Sequence, residues 1–377
     1  MRTILVYAYT EFNLGDDLFI KVLCERYPDT RFMIMAPGLY RDTFRALPNL
    51  RIIASDSMVV RGINYLFRKI RLYDFVQRLL VWRSDGIVHI GGSIFMQGEY
   101  WKEYFRKAEA LRNRNKPYYL LGANFGPYSD DEYYQTHKEL FKEYTDVCFR
   151  EEYSYELFSD LRNVRLAPDI IFQLKVPQAQ KQSQAQDKYI VLSVIRPSAK
   201  NLEGYDLLYY EKMKDISAYF IRQGYAVHLV SFCEHEGDQE AIMHILNLLP
   251  EELVPQIRSH YYKTNIEEIL SLIAGSSFVV ASRFHAMILG WVMNKPVFPI
   301  AYSSKMIHVM EDANFTGNYT DFNQLEDLQP EEVYHSMQDG SIDVSAQALN
   351  AERHFEKLDA YLSLPGRRAY ESQTEYS

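Results

Sequence analysis

Short, nearly continuous apolar runs alternate with longer stretches of helical spacing along most of this chain. Runs at 4–8, 32–36, 87–90, 118–123 and 147–149 are rich in β-branched and aromatic residues. They read as strands buried on both faces, as in a parallel sheet. Between them, 18–27, 100–113 and 131–144 have helical length and spacing. The pattern stops at 178–187, a polar, low-complexity segment dominated by Gln, which reads as a linker. It then restarts, with strands expected at 189–194, 226–231, 278–281 and 297–300, and helices at 207–223, 238–249 and 266–274. The alternation predicts an α/β protein of two doubly wound, Rossmann-like parallel-sheet domains, 1–177 and 188–325, facing a cleft. An acidic, helical tail at 326–377, clearest at 345–364, is expected to pack back on the body.

Composition narrows this only slightly. A chain of 377 residues exceeds one typical core. A net charge of -9 argues against a general nucleic-acid binder. Cys24, Cys148 and Cys233 are far apart, fit no metal spacing and read as buried thiols of a cytoplasmic protein. No apolar run approaches the roughly 20 residues of a membrane span, and the N-terminus runs straight into a strand, so no signal peptide is expected.

The segment richest in chemistry is Ser277-Ser-Phe-Val-Val-Ala-Ser-Arg-Phe-His285, followed by an apolar helix at 286–294. A strand there hands Ser282, Arg283 and His285 to a helix N-terminus, which carries about +0.5 of an elementary charge and unpaired N–H donors. The set suits an anion and a proton transfer. A helix-start serine with two boundary side chains is the plainer alternative.

Other motifs also follow strands, where doubly wound sheets bind ligands. In Asn13-Leu-Gly-Asp-Asp17, Gly15 permits a tight turn or a close approach. Asp16 or Asp17 either caps the helix or accepts a proton from a sugar hydroxyl. Gly91-Gly92-Ser93 lets a loop offer its backbone N–H groups, while His89 reads as packed. Gly122-Ala-Asn-Phe-Gly-Pro127 presents Asn124 and a turn at Gly126. Arg150 belongs to a ligand contact or to a structural Arg–Glu pair, and Asp169 stands at the cleft rim or shapes a turn. Arg196 and Lys305 follow second-domain strands, so Arg196, Arg283 and Lys305 predict a basic pocket for phosphate or carboxylate.

Taken in order, Asn-Leu-Gly-Asp-Asp, Gly-Gly-Ser, Gly-Ala-Asn-Phe-Gly-Pro, Arg-Glu-Glu-Tyr-Ser and Ser-Arg-Phe-His resemble the polysaccharide pyruvyl transferases. The resemblance implies a GT-B-like fold, phosphoenolpyruvate as donor and a saccharide acceptor, either free or bound to a polyprenyl diphosphate. The product would be a cyclic pyruvate ketal, with phosphate released. No His, Cys, Asp or Glu cluster has convincing metal-ligand spacing, so no metal or other cofactor is expected. It puts Arg196, Ser282, Arg283, His285 and Lys305 on the donor side. Asn13, Gly15, Gly91, Gly92, Ser93, Asn124, Gly126 and Arg150 fall on the acceptor side. His285 is then the general acid, assisted by Arg283, and Asp16 or Asp17 orients or deprotonates the sugar hydroxyl. A nucleotide-sugar glycosyltransferase and a non-catalytic saccharide- or phosphate-binding protein stay open as alternatives.

One segment fits none of this. Residues 60–83 hold Arg61, Arg68, Lys69, Arg71, Arg78 and Arg83 against one acid, Asp74, among many aromatics. It reads either as a surface helix with a solvated basic face or as a peripheral contact with an anionic membrane, Trp82, Phe67 and Leu79 inserting shallowly.

Overall fold

The computed structural model describes residues 1–70, 72–176 and 188–364, so the expected linker 178–187 lies outside the described residues. The chain divides into two compact units, Met1–Thr10 with Phe19–Ile170 and Asn350–Ser377, and Glu11–Leu18 with Ile171–Leu349. This division departs from the domain limits read from the sequence. Residues 11–18 and 171–176 belong with the second unit, and the expected tail is split, 326–349 going with the second unit and 350–364 with the first.

The first unit is built on β1 (Thr3–Tyr7), β2 (Arg31–Ala36), β3 (Leu50–Ala54), β4 (Gly86–Ile90), β5 (Tyr118–Ala123), β6 (Asp146–Phe149) and β7 (Val164–Leu166). They form one sheet in the order β3-β2-β1-β4-β5-β6-β7, parallel throughout. The second unit has β8 (Tyr189–Val194), β9 (Ala226–Ser231), β10 (Ile257–Tyr261), β11 (Phe278–Ala281), β12 (Val297–Ala301) and β13 (Thr320–Asp321). Their order is β10-β9-β8-β11-β12-β13, again all parallel. Both sheets are doubly wound, as the alternation predicts. The winding reverses between β1 and β4 in one and between β8 and β11 in the other. Ligands of such sheets bind beyond the carboxyl ends of the strands at that switch.

The four strands absent from the sequence reading, β3, β7, β10 and β13, are the four sheet edges. An edge strand is solvated along one side and needs no continuous apolar run. β10 reads Ile-Arg-Ser-His-Tyr and none of its residues is fully buried. The central strands, by contrast, supply the core, with Ile190, Leu192 and Val280 wholly buried in the second unit and Ile87, Leu120 and Val147 in the first.

The first long helix, Leu14–Arg26, begins four residues before the expected start at 18 and so takes Gly15, Asp16 and Asp17 into its first turn. Its cap is Asn13, whose Oδ1 accepts from the Gly15 N–H at 3.1 Å. In the first unit, the tail helix Glu356–Ser363 is tied down by Asp359, which accepts from Tyr27 Oη at 2.7 Å and pairs with Arg26 at 2.8 Å. Tyr361 donates to the Asp85 carbonyl at 2.8 Å.

Candidate functional site

At the switch of the second sheet, Ala281 of β11 stands in register with Ser193 of β8. That register brings the Ser193 hydroxyl under the turn that follows β11. Ser193 Oγ accepts from the Ser282 N–H at 3.0 Å and the Arg283 N–H at 3.1 Å. Tyr209 donates to Ser282 Oγ at 2.8 Å, and burial pushes its phenol well above the usual value. The turn is therefore clamped from below, and the helix Phe284–Val292 starts from a fixed point with His285 in its first turn.

Residues 11–18 lie against the same end of this sheet. Asn13 bridges Cys233, and the Leu14 N–H donates to the Phe232 carbonyl at 3.0 Å. Phe12 holds a left-handed φ of 51°, a conformation costing a bulky residue roughly 1–2 kcal/mol. Tyr262, just past β10 and wholly buried, donates to Asp17 Oδ2 at 2.6 Å. Asp17 is fully buried and Asp16 only half so. His285 is half-buried and packs against Gly15, where an added β-carbon would stand 1.8 Å from Nδ1. The structure thus joins Asn13, Gly15, Asp16 and Asp17 to Ser282, Arg283 and His285 within the second unit. The sequence reading had placed Asn13 and Gly15 on the other side.

The expected basic pocket is corrected. Arg283 is buried, its Nε donating to Asp238 Oδ2 at 3.1 Å, with Nη2 on Asp238 Oδ1 and Nη1 on Glu236. Asp238 also accepts from the Phe232 and Cys233 N–H groups at 2.8 and 2.9 Å. Glu236 is shared with Lys200. Burial alone would raise the Glu236 carboxyl, but the charges of Arg283 and Lys200 outweigh it and hold it at about 2. Arg196 pairs with Glu240 at 2.5 Å, its stem lying over Gly237. The acidic loop after β9 has therefore matched the charge of both arginines. Lys305, in the first turn of the helix Ser304–Asp312, has its Nζ 5.3 Å from the Phe284 ring and 5.6 Å from the Tyr302 ring.

In the first unit, the loops after β4, β5 and β6 meet. Arg150, nearly fully buried, pairs with Asp169 at 2.8 Å and donates to Asn124 Oδ1 at 2.7 Å. Ser93 donates to the same oxygen at 3.1 Å. Gly92 is needed for space, since an added β-carbon would stand 2.5 Å from Arg150 Nη1. The structural pair imagined for Arg150 has Asp169, not a glutamate, as its partner. Glu151 instead accepts from Ser154, whose hydroxyl accepts from the Phe125 N–H. Gly126 adjoins this cluster ahead of a cis proline, and Gly91 precedes Gly92 in the same loop. His89 packs among Tyr7, Phe95 and Tyr118, and burial pushes it down to about 4.

Tyr262, Tyr209, Glu236 and Asp238 escape the sequence reading. Tyr262 follows an unrecognised edge strand. The acids Glu234, Glu236, Asp238 and Glu240 do form a visible run, which reads as an ordinary helix start.

The three cysteines are buried thiols without disulfides, and burial pushes Cys148 and Cys233 up to about 12. Among the described residues no helix is long and apolar enough to cross a membrane.

Two parallel sheets wound in this way, with motif loops at their switch points, define the GT-B-like class of two Rossmann-like units. Solved structures agree on the fold. Anabaena HepE, in complex with UDP and glucose, superposes with a TM-score of 0.55 at 12% identity, covering 97% of this chain and 100% of that one. A putative UDP-N-acetylglucosamine 2-epimerase from Listeria monocytogenes gives 0.56 at 13% identity, covering 97% of each chain. The fold is thus shared by different activities and does not choose among them. The sequence does so at the level of family: residues 13–304 match the polysaccharide pyruvyl transferase model, and the chain belongs to that family. The amylovoran biosynthesis protein AmsJ of Erwinia amylovora is similar to it at 21% identity over 290 residues, 71% of this chain and 69% of that protein.

Proposed function

We infer that this transferase moves the pyruvyl group of phosphoenolpyruvate onto a sugar of a cell-surface polysaccharide or of its lipid-linked precursor. The observation that carries the reading is the seating of His285 on Gly15 at the switch point of the second sheet, beside Asp16 and a helix N-terminus.

The reaction needs a proton on the methylene carbon, bonds from two sugar hydroxyls to C2, and cleavage of the bond between C2 and the phosphate oxygen. One hydroxyl proton ends on the methylene carbon and the other leaves with the phosphate, so sugar and phosphoenolpyruvate become ketal and phosphate. His285 donates to the methylene carbon, a general-acid contribution of about 10² to 10⁴ in rate. Asp16 takes the hydroxyl proton. Asp17, locked on Tyr262, holds the first turn in place. The donor's negative charge is met by Lys305 and by the backbone N–H groups that open the helix Phe284–Val292. Arg283 positions the turn that carries His285. A divalent ion is not required, so a chelator leaves the rate unchanged.

The test is incubation of the protein with phosphoenolpyruvate and a panel of glycosides, read by mass and by phosphate release. A product one pyruvate ketal heavier, with one phosphate released per product, supports the reading. Turnover of a nucleotide sugar with a nucleoside diphosphate released, or saccharide binding without turnover, overturns it.

A further inference from the structure

The segment 58–83 carries apolar side chains on the side of a helix where a surface helix is normally polar. It forms two helices, Met58–Arg68 and Phe75–Arg83, in the first unit. The inward side of the first is occupied: Val60 and Ile63 pack on the core, and Phe67 stacks on Phe75 with ring centroids 3.6 Å apart. Asn64 Oδ1 accepts from the Val76 N–H at 3.1 Å, which fixes one helix to the other. At 3.6 residues per turn, Met58, Val59, Tyr65 and Leu66 fall on the opposite side. They are 88, 71, 61 and 61% exposed, and no residue of this helix is buried. Ile70, just past this helix, and Trp82, on the second, are 64 and 70% exposed. Leaving apolar surface in water costs about 25 cal/mol per Å², and patches of this kind mark interaction sites.

Charge identifies the partner. Arg61 and Arg68, seven residues apart, border the apolar side, Lys69 follows directly, and Arg78 and Arg83 are on the second helix. The one acid of the segment, Asp74, pairs with Lys107 at 3.5 Å. A chain of net charge -9 therefore concentrates cations around its exposed apolar residues. A second copy docked here would set cations against cations. We propose that this helix pair is a docking surface for an anionic lipid bilayer, with Met58, Leu66 and Ile70 entering the boundary between headgroups and acyl chains and the arginines on lipid phosphates. Phe67 and Leu79, which the sequence reading inserted, are otherwise engaged: Phe67 is in the ring stack and Leu79 is half-buried.

The test needs neither donor nor sugar, so its failure leaves the transferase reading intact, and the converse holds. The full chain is sedimented with phosphatidylcholine vesicles with and without phosphatidylglycerol, at rising salt. Binding is expected only to the anionic vesicles and is expected to fall with salt. The triple variant Arg61→Gln, Arg68→Gln, Lys69→Gln should bind roughly 100-fold more weakly, at about fivefold per cation near such a surface. Leu66→Ser with Ile70→Ser should weaken binding while leaving the melting temperature in place, since both side chains are exposed. Equal binding to both vesicle types, binding to neither, or variants that bind like the parent would overturn the proposal. So would self-association that the serine variant abolishes, or capture of an acidic protein with no affinity for vesicles.

Discussion

The imidazole of His285 rests on the α-carbon of Gly15, with no room for a methyl group between them: an added β-carbon would stand 1.8 Å from Nδ1. Gly15 is therefore required for close approach, and the Asn13–Asp17 and Ser282–His285 motifs are two halves of one fit. Gly15→Ala should drive His285 from its position. Alanine is the better helix former by up to about 1 kcal/mol, which offsets part of the cost of displacing His285, so the protein should fold with at most a modest loss of stability. Turnover should fall about 10²-fold or more, close to the fall in His285→Ala. The double variant should be no slower than His285→Ala alone, because both changes remove the same contribution. A native rate in Gly15→Ala would separate His285 from the chemistry.

Arg283 gives a prediction of a different kind. Its guanidinium satisfies Asp238 and Glu236, so Arg283→Ala leaves the buried Asp238 without its cation and Glu236 with Lys200 alone. Breaking a buried pair from one side costs roughly 3–5 kcal/mol, and urea unfolding should show it. Asp238→Ala should be comparably harmful, since it also strands the Phe232 and Cys233 N–H groups. If Arg283→Ala retains its unfolding midpoint and loses only donor affinity, the arginine is a ligand group and the clamp is incidental.

These two cases show what was legible beforehand. The strand–turn–helix around His285 could be read because a buried central strand and a buried helix each leave a continuous apolar run. The loops after β1, β4, β5 and β6 could be read because glycines and polar residues interrupt such runs. The matching of Arg283 by Asp238 could not, because an acid at a helix start has an ordinary local explanation. Nor could the Tyr262–Asp17 bond, which depends on β10, an edge strand without an apolar signature. The contact of Gly15 with His285 is long-range, and one sequence holds no local signal for it. The exposed apolar side of Met58–Arg68 was hidden likewise, since composition does not say which face of a helix is covered.

On the proposed reading, Lys305 meets donor charge at the start of its helix, where a cation opposes the helix dipole and an anion would be welcome. Lys305→Ala should raise the KM for phosphoenolpyruvate about tenfold or more while changing kcat less, because a ground-state contact is lost. Steady-state kinetics with a soluble acceptor measure both. A fall in kcat with unchanged KM would assign Lys305 to the chemical step instead.

Acid sensitivity follows from the buried histidines of the first unit. Burial pushes His89 and His137 down to about 4, and His354 to about 3, from an ordinary 6.5. Between 6.5 and 4 the unfolded chain takes up protons at these positions and the folded unit does not. Stability is therefore whole above 6.5 and falls with pH through that window, by up to about 1.4 kcal/mol per pH unit for each histidine. Denaturant unfolding at about pH 7 and about pH 5 should show the loss, and His137→Phe should reduce it. His137 sits among Phe95, Trp101, Phe105 and Phe125, so a phenyl ring suits the site. The variant gives up the 2.8 Å hydrogen bond between Nδ1 and the Tyr133 carbonyl, about 1 kcal/mol at neutral pH. It should thus start less stable and lose less on acidification, so the two stability curves converge or cross as pH falls. Parallel curves would mean that His137 keeps its ordinary protonation in the fold.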